Sequence, residues 1–460
     1  MINLKNIDQI DIRDKKVTVI GLGLSGTESA KLANQLGARV FATDISSKTA
    51  ILNNAIKLMH DFHIATETGL HSKKIYDSDL WILSPGVAKN TEIVIKAIEK
   101  NIPIVSEIEF ASWFTQSPII AITGSNGKTT TSHILKEMCQ SKKINGVMAG
   151  NMGLPFSERV FNELSNPDRK RIYVLECSSF QMEFVKHFTP YIALFTNISP
   201  DHLDRHSSMS EYIKMKLKMI QNIKPDSFIV FNAEDKILYS SLKKYKLNLK
   251  PYGINTKDAM FKVENDEIIS PSGSPLIKLK KLGIPGKHNL YNFLSAATCA
   301  HLLGIKQDQI TKVLKSFKGV EHRLEFVSNI NDVDYINDSK ATNINSVIVA
   351  LKSFSKPVIL ILGGYNKGAN FQQLLPHIKS SNVKNIICYG EAGEQINTVI
   401  GDAVRSVQVT DLSSAVNEAH ILAAPGDIVL LSPGCASFDE FSDFESRGTY
   451  FKSAVQNLQL

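Results

Sequence analysis

A short run of apolar, largely β-branched residues, then a stretch with helical spacing, then another such run, recurs along this chain. The first series occupies residues 17–20, 39–43, 80–83 and 102–105. Runs that are apolar throughout leave no face for water, so they read as strands covered on both sides, and helices between successive strands make the pairing parallel. A second series at residues 119–122, 172–175, 192–195 and 228–231 repeats the arrangement, as does a third at 335–336, 358–362, 386–389, 407–409 and 428–431. Residues 236–281 interrupt it with a Lys-rich stretch and the turn signal Pro271-Ser272-Gly273-Ser274-Pro275, which reads as short β elements. A helix over residues 289–303 follows, with Gly304 as its stop. A length of 460 residues, at about 100–200 per domain, fits three consecutive α/β domains, expected at 1–107, 108–319 and 320–460.

Two strand-to-helix junctions carry glycine loops. Thr123-Gly124-Ser125-Asn126-Gly127-Lys128-Thr129 lies between the strand at 119–122 and the next helix. Glycines let backbone N–H groups close around phosphate oxygens, and the helix N-terminus adds positive potential. Lys128 is spaced to reach the β- and γ-phosphates and Thr129 to bind Mg²⁺. The standard G-x-x-x-x-G-K-[ST] spacing requires a glycine where this chain has Ile122, so the loop is a shortened variant. Strand, loop, Lys-Thr and helix together read as an ATP site formed by Gly124, Asn126, Gly127, Lys128, Thr129 and Thr130; a plain glycine turn is the alternative. The other loop, Gly21-x-Gly23-x-x-Gly26, also follows a strand and opens a helix, with Asp44 at 18 residues beyond Gly26. It suits a dinucleotide, and equally any diphosphate, including that of a nucleotide sugar. Ser84-Pro85-Gly86 ends another strand and would face the same crevice, because ligands of open parallel sheets sit at the strands' carboxyl ends. The expected architecture is therefore an N-terminal Rossmann-like parallel sheet, a central P-loop ATP-binding domain and a C-terminal Rossmann-like domain.

Composition narrows the function classes. Apolar residues at 43% and charged residues at 21% are those of a folded globular chain and exclude wholesale disorder. The five cysteines form no C-x-x-C pair, so metal and redox motifs fail and buried thiols are expected. No apolar run reaches the ~18–20 residues of a membrane span. Residues 1–14 mix charges with isolated apolar residues rather than forming a signal peptide, so a cytoplasmic location without membrane insertion is expected. The net charge of +7 falls mainly in the central domain, with its Lys-rich stretch away from every phosphate motif. It reads as solvated surface, and no nucleic-acid partner is expected.

Polar segments collect where the strands end. They are Gly150-Asn151-Met152-Gly153, Glu176-Cys177-Ser178-Ser179-Phe180-Gln181, Asn197 to Arg205, Gly286 to Asn292, Glu321-His322-Arg323, Asn337 to Asn343 and Ser432 to Ser437. With the G-S-N-G-K-T loop, this set in this order closely resembles the Mur ligases of bacterial cell-wall synthesis, across all three domains. The P-loop alone would equally suit a folylpolyglutamate synthase. E-C-S-S-F-Q, N-D-S-K-A-T-N and S-P-G-C-A-S-F-D-E-F resemble the branch that adds D-glutamate, and the D-N-P-R motif of the branch adding diaminopimelate or lysine is absent.

The resemblance implies an ATP-dependent ligase, monomeric, that joins D-glutamate to UDP-N-acetylmuramoyl-L-alanine with the help of one or two Mg²⁺ ions. A carboxylate is a poor electrophile, so ATP first converts it to an acyl phosphate, a transfer that needs charge neutralisation more than covalent help. By resemblance, Glu176 and His202 join Thr129 as metal ligands, and Lys216 matches a carbamylated lysine that supplies an anionic oxygen. Asn289 and Asn292 resemble adenine-binding asparagines, although Asn289 also suits an N-cap. Arg323 and Asp338 match ATP contacts in the third domain. Lys340, Thr342, Lys367, Ser437 and the backbone at Phe444 match a D-glutamate pocket. Leu24, Ser25, Ser84, Pro85 and Gly86 match the UDP site, and Asn151, Ser178, Gln181 and His202 the muramoyl-alanine arm. Two segments depart from the family pattern: Tyr365-Asn366 stands where Asp-Gly is expected, and Ile45-Ser46 where Thr-Arg is expected.

Two other readings compete. An NAD-dependent oxidoreductase rests on Gly21 to Gly26 and Asp44 alone. A nucleotide-regulated binding module would keep both loops without needing Lys216, Asp338 or Lys367.

Overall fold

A computed structural model describes residues 10–151, 153–167, 170–199, 208–366 and 368–458. The chain forms two compact units, Met1–Phe317 and Lys318–Leu460.

The first unit holds two parallel sheets. Strands β1 (Lys16–Ile20), β2 (Arg39–Asp44), β3 (Ala65–Thr68), β4 (Leu80–Leu83) and β5 (Ile104–Ser106) lie in the order β3-β2-β1-β4-β5. The second sheet contains β6 (Ile119–Thr123), β7 (Asn145–Gly150), β8 (Arg171–Glu176), β9 (Ile192–Phe195), β10 (Phe228–Asn232) and β11 (Leu249–Tyr252), ordered β11-β10-β9-β6-β8-β7. The segment expected to hold only short β elements begins with a helix, Lys236–Leu242, because the Asp235 carboxylate caps it by accepting from the Ile237 and Leu238 N–H groups. Further on it does form a small antiparallel sheet of β12 (Lys262–Glu264), β13 (Glu267–Ile269) and β14 (Pro275–Lys278). Helices Lys287–Leu302 and Gln307–Ser316 close the unit, the second of them beyond the one the sequence suggested, and Gly304 between them has φ +72°, the left-handed conformation that glycine allows.

The second unit is one sheet of β15 (Glu325–Ile330), β16 (Val333–Asn337), β17 (Val358–Gly363), β18 (Val383–Tyr389), β19 (Arg405–Gln408) and β20 (Ile428–Gly434). Their order is β15-β16-β20-β17-β18-β19, parallel except for the β15–β16 hairpin. Two-residue turns at Asn265-Asp266 and Asn331-Asp332, all four residues at positive φ, make the β12–β13 and β15–β16 hairpins. All five cysteines are free and buried.

One apolar cluster runs from Val17 and Leu80 in the first sheet through Phe110 and Phe156 to Ala121 and Tyr173 in the second. Helix Glu107–Ser112 sits at this joint. Its Glu109 carboxylate accepts from the N–H groups of Lys186, His187 and Phe188 and from the Trp113 indole. Glu107 is equally buried but less well served: one oxygen accepts from the Ser157 N–H at 2.6 Å, while the other has no hydrogen-bond partner among the described residues. Burial pushes this carboxyl up to about 7.

A raised folded-state pKa makes the protonated form the better folded one. The stability this brings is complete below the ordinary glutamate value and is lost as pH rises towards 7. Glu107→Gln removes that loss. Its melting temperature should match the unaltered chain near pH 5 and exceed it near pH 8, by an amount equivalent to about 2–3 kcal/mol. Identical melting curves near pH 8 would show that Glu107 ionises there without cost.

Candidate active site

β6 delivers the chain to the glycine loop, and the loop's shape admits glycine alone at two places. Gly124 has φ +149°, and a Cβ there would stand 1.9 Å from Thr196 Oγ1. Gly127 has φ +84°, and its Cβ would stand 2.5 Å from Asn292 Oδ1. Residues after β9 staple the loop between these points. Asn197 clamps Asn126 from both sides, accepting from its N–H and donating to its carbonyl, each at 2.9 Å. Thr196 Oγ1 donates to the same carbonyl at 2.7 Å. Ser125 N–H donates to Asn197 O, and its hydroxyl exchanges hydrogen bonds with the Ser199 backbone. Helix Lys128–Met138 then opens with its first N–H groups at the loop, the arrangement that binds phosphate.

The charged groups converge here. Lys128 Nζ lies across the loop, donating to Gly124 O at 2.8 Å and Ser125 O at 3.0 Å. Thr129 Oγ1 donates to Glu176 Oε2 at 2.9 Å, and Asn151 Nδ2 donates to Glu176 Oε1 at 2.9 Å, so one carboxylate at the end of β8 joins the ends of β6 and β7. Thr130 is buried in the helix's first turn. On helix Met209–Leu217 Lys214 is exposed, and in the turn just after it Lys218 Nζ donates to Glu183 O, whereas Lys216 is 2% exposed and donates to Gly124 O at 2.9 Å. Of these three lysines, Lys216 is the one at the phosphate loop, its ammonium 4.5 Å from the centre of the Tyr212 ring. The Tyr212 hydroxyl in turn lies 3.1 Å from Ser125 Oγ. His202 lies outside the described residues. The Thr129 hydroxyl and Glu176 carboxylate are hard oxygen donors beside a phosphate cradle, a donor set that fits Mg²⁺.

Asn292 is buried beneath Gly127, its carbonyl oxygen accepting from Thr131 Oγ1 at 3.3 Å, while Asn289 Nδ2 donates to Pro285 O at 2.7 Å. Ser178 donates from both its N–H and its hydroxyl to Gln181 Oε1, each at 3.0 Å.

The first sheet forms its own crevice. Gly26 packs so closely that a Cβ would stand 1.8 Å from Gly21 O, and Ser84 Oγ donates to the same oxygen at 3.0 Å. Ser84 therefore joins the end of β4 to the glycine loop. Ser25 and Pro85 are partly exposed, Leu24 and Gly86 exposed, along this rim. Asp44 is engaged by the backbone: one oxygen accepts from Leu22 N–H at 2.7 Å and the other from Ser46 N–H at 2.8 Å. Its carboxylate holds the loop, which accounts for an acid at this spacing without a ribose.

In the second unit Asp338 is buried at the end of β16, accepting from the Leu324 N–H and from Ser432 Oγ. Burial pushes its carboxyl up to about 7, against the opposing pull of Arg323. Lys340 Nζ lies 5.6 Å from the centre of the Phe444 ring, Thr342 is exposed and Ser437 is buried. The Tyr365-Asn366 departure forms a definite turn: Asn366 Oδ1 accepts from Gly368 and Ala369 N–H, and Tyr365 exchanges backbone hydrogen bonds with Ala436. Lys367 lies outside the described residues. Sequence reasoning assigned no role to Thr196, Asn197 or Tyr212; the apolar run ending at Phe195 was the available signal, since it delivers the next residues to the loop.

A phosphate loop at the end of a central parallel strand, a hydroxyl-carboxylate pair beside it and a buried lysine against it define a P-loop nucleotide-binding α/β protein. Three family models match the chain: Mur ligase MurD-like, N-terminal domain at residues 15–106, Mur ligase middle domain at 122–300, and Mur ligase, glutamate ligase domain at 322–435. The chain belongs to the Mur ligase family. It is 39% identical to the UDP-N-acetylmuramoylalanine–D-glutamate ligase of Christiangramia forsetii, over 96% of this chain and 100% of that one. The protein of the same name from Thermoanaerobacter pseudethanolicus is 38% identical over 98% and 100% of the respective chains, and that from Streptococcus gordonii 36% over 99% and 100%. Among solved structures, the fold is shared with UDP-N-acetylmuramate-alanine ligase MurC from Thermotoga maritima (TM-score 0.59, 18% identity, 96% of this chain and 100% of that one). It is shared also with MurF from Thermotoga maritima in complex with ADP (TM-score 0.57, 16% identity, 99% and 98%).

Gly124→Ala should lower stability by about 2–4 kcal/mol and weaken ATP binding at least ~100-fold, because the methyl group must displace either the loop or Thr196. Thermal melting and nucleotide titration check this; unimpaired nucleotide binding would mean that the Thr196 contact does not fix the loop.

Proposed function

We propose that this protein is an ATP-dependent ligase that joins D-glutamate to UDP-N-acetylmuramoyl-L-alanine through an acyl phosphate, in cytoplasmic synthesis of peptidoglycan precursors. The observation that carries this reading is near-complete coverage at 36–39% identity by relatives bearing that activity in their names. The Thr129–Glu176–Asn151 chain at the phosphate loop supports it.

The division of labour follows the three sheets. Residues 1–107 bind the UDP-sugar through Leu24, Ser25, Ser84, Pro85 and Gly86; residues 108–319 bind ATP; residues 320–460 bind D-glutamate. Gly124, Asn126, Gly127 and the first turn of helix Lys128–Met138 present N–H groups to the phosphates. Lys128 leaves its carbonyl partners for the transferred phosphoryl group, where a positive charge stabilises the transition state. Mg²⁺, when bound by Thr129, Glu176, His202 and a carbamylated Lys216, neutralises charge on the phosphates. Asn151, Ser178 and Gln181 orient the muramoyl-alanine arm so that its carboxylate meets the γ-phosphate. Asn289, Asn292, Arg323 and Asp338 are the further ATP contacts. Lys340, Thr342, Lys367, Ser437 and the Phe444 backbone offer cations and donors to the two carboxylates of D-glutamate. The active species is a monomer. Among the described residues no helix is long and apolar enough to cross a membrane.

Phosphate release measured with UDP-N-acetylmuramoyl-L-alanine, D-glutamate and Mg-ATP tests the assignment, with all three substrates required. Lys128→Ala should retain the fold and lose at least ~1,000-fold in turnover. Release with a different amino acid, and none with D-glutamate, would move the protein to a sister branch of the family.

A further inference from the structure

The second unit buries a cation that the chemistry above does not use. Arg447, on helix Phe444–Asn457, has no solvent exposure. A guanidinium is expensive to bury unless its N–H groups are satisfied. Its Nε donates to Ser339 Oγ at 3.0 Å, Nη1 to Ala436 O at 3.0 Å, and Nη2 to Ser339 O at 2.8 Å and Cys435 O at 3.1 Å. Among the described residues no carboxylate lies within ion-pairing distance of it; carbonyl groups and one hydroxyl accept its hydrogen bonds, and Glu440 interacts with it only at longer range.

Those partners lie on loops that leave adjacent strands at their carboxyl ends. Ser339 follows β16, and Cys435 and Ala436 follow β20. The loop after β17 touches the same group: a Cβ on Gly364 would stand 3.0 Å from Arg447 Nη1 and 2.3 Å from Ala436 O. Ser339 closes the arrangement, since its hydroxyl also donates to Phe444 O at 2.8 Å, at the start of Arg447's own helix. The segments that Arg447 gathers are therefore those carrying Lys340, Ser437 and Phe444.

We propose that Arg447 is the positioning residue of the amino-acid site, setting from beneath the spacing of the three loops and the helix start that receive the incoming amino acid. This rests on the assignment of that site to these loops. The side chain suits the task because its rigid planar fork directs N–H groups to four separate acceptors, which the single ammonium of a lysine does not.

Steady-state kinetics of Arg447→Lys, Arg447→Met and Ser339→Ala, each substrate varied in turn, test the proposal, with the folded fraction checked by thermal melting. The KM for D-glutamate should rise at least about 10-fold in both Arg447 variants and about 3-fold in Ser339→Ala, while the KM values for ATP and the UDP-sugar stay within about 2-fold. A purely structural Arg447 would lower kcat through loss of folded protein and leave every KM in place, and that outcome overturns the proposal. Should Arg447→Met fail to fold, an unchanged D-glutamate KM in the other two variants overturns it equally. If the unaltered protein couples another amino acid, the substrate reading fails on its own, and the same KM comparison with that amino acid decides the role of Arg447.

Discussion

Parallel strands that end in register are the constraint on which the rest of the first unit depends. Ile122 pairs with Glu176 and Gly150 pairs with Glu176, so β6, β8 and β7 stop side by side. The phosphate loop, the carboxylate and Asn151 are therefore neighbours before any side-chain preference acts. The register is held by residues with no catalytic content: Tyr173, Val174 and Leu175 are wholly buried between covering layers. Slipping β8 by one residue would turn these apolar groups and Glu176 together to the opposite faces. The packing that stabilises the sheet and the alignment that makes the site are one interaction.

That same burial decided what could be read from the sequence. Strands in the middle of each sheet are covered on both faces and show as unbroken apolar runs. In the three large sheets the strands absent from that pattern, β3 (ATET), β7 (NGVMAG), β11 (LKPY) and β15 (EFVSNI), all lie at sheet edges, where one side of the ladder is open and polar residues are tolerated. β15 nevertheless had a local signal in Asn331-Asp332, a pair suited to the positive φ values of a tight hairpin. The helix at Lys236–Leu242 was hidden because lysines dominate its surroundings, although Asp235 before it is a strong cap.

The candidate site was legible to different depths. Lys128 and Thr129 follow from spacing alone. Lys216 rested on the family resemblance, since a helix with so many lysines reads as solvated; in the fold it shares the buried face with Tyr212, Met215, Met219 and Ile220. Spacing left open whether the glycine loop with Asp44 serves a dinucleotide or another diphosphate, because it says nothing about where the peptide N–H groups of such a loop point. Arg447 gave no signal at all, since an arginine on an amphipathic helix ordinarily faces water, and only the convergence of distant loops makes a closed pocket for it.

The contact between Gly127 and Asn292 ties together two parts of the central domain that are more than 160 residues apart in the chain. The helix carrying both asparagines cannot shift without moving the phosphate loop against which it is wedged. The phosphate loop and the start of this helix are thus fitted to one another directly, through Asn292. If Asn289 and Asn292 meet the base as proposed, a misplaced base would displace the phosphates with it, and discrimination between nucleotides would register in the rate of phosphoryl transfer as well as in occupancy.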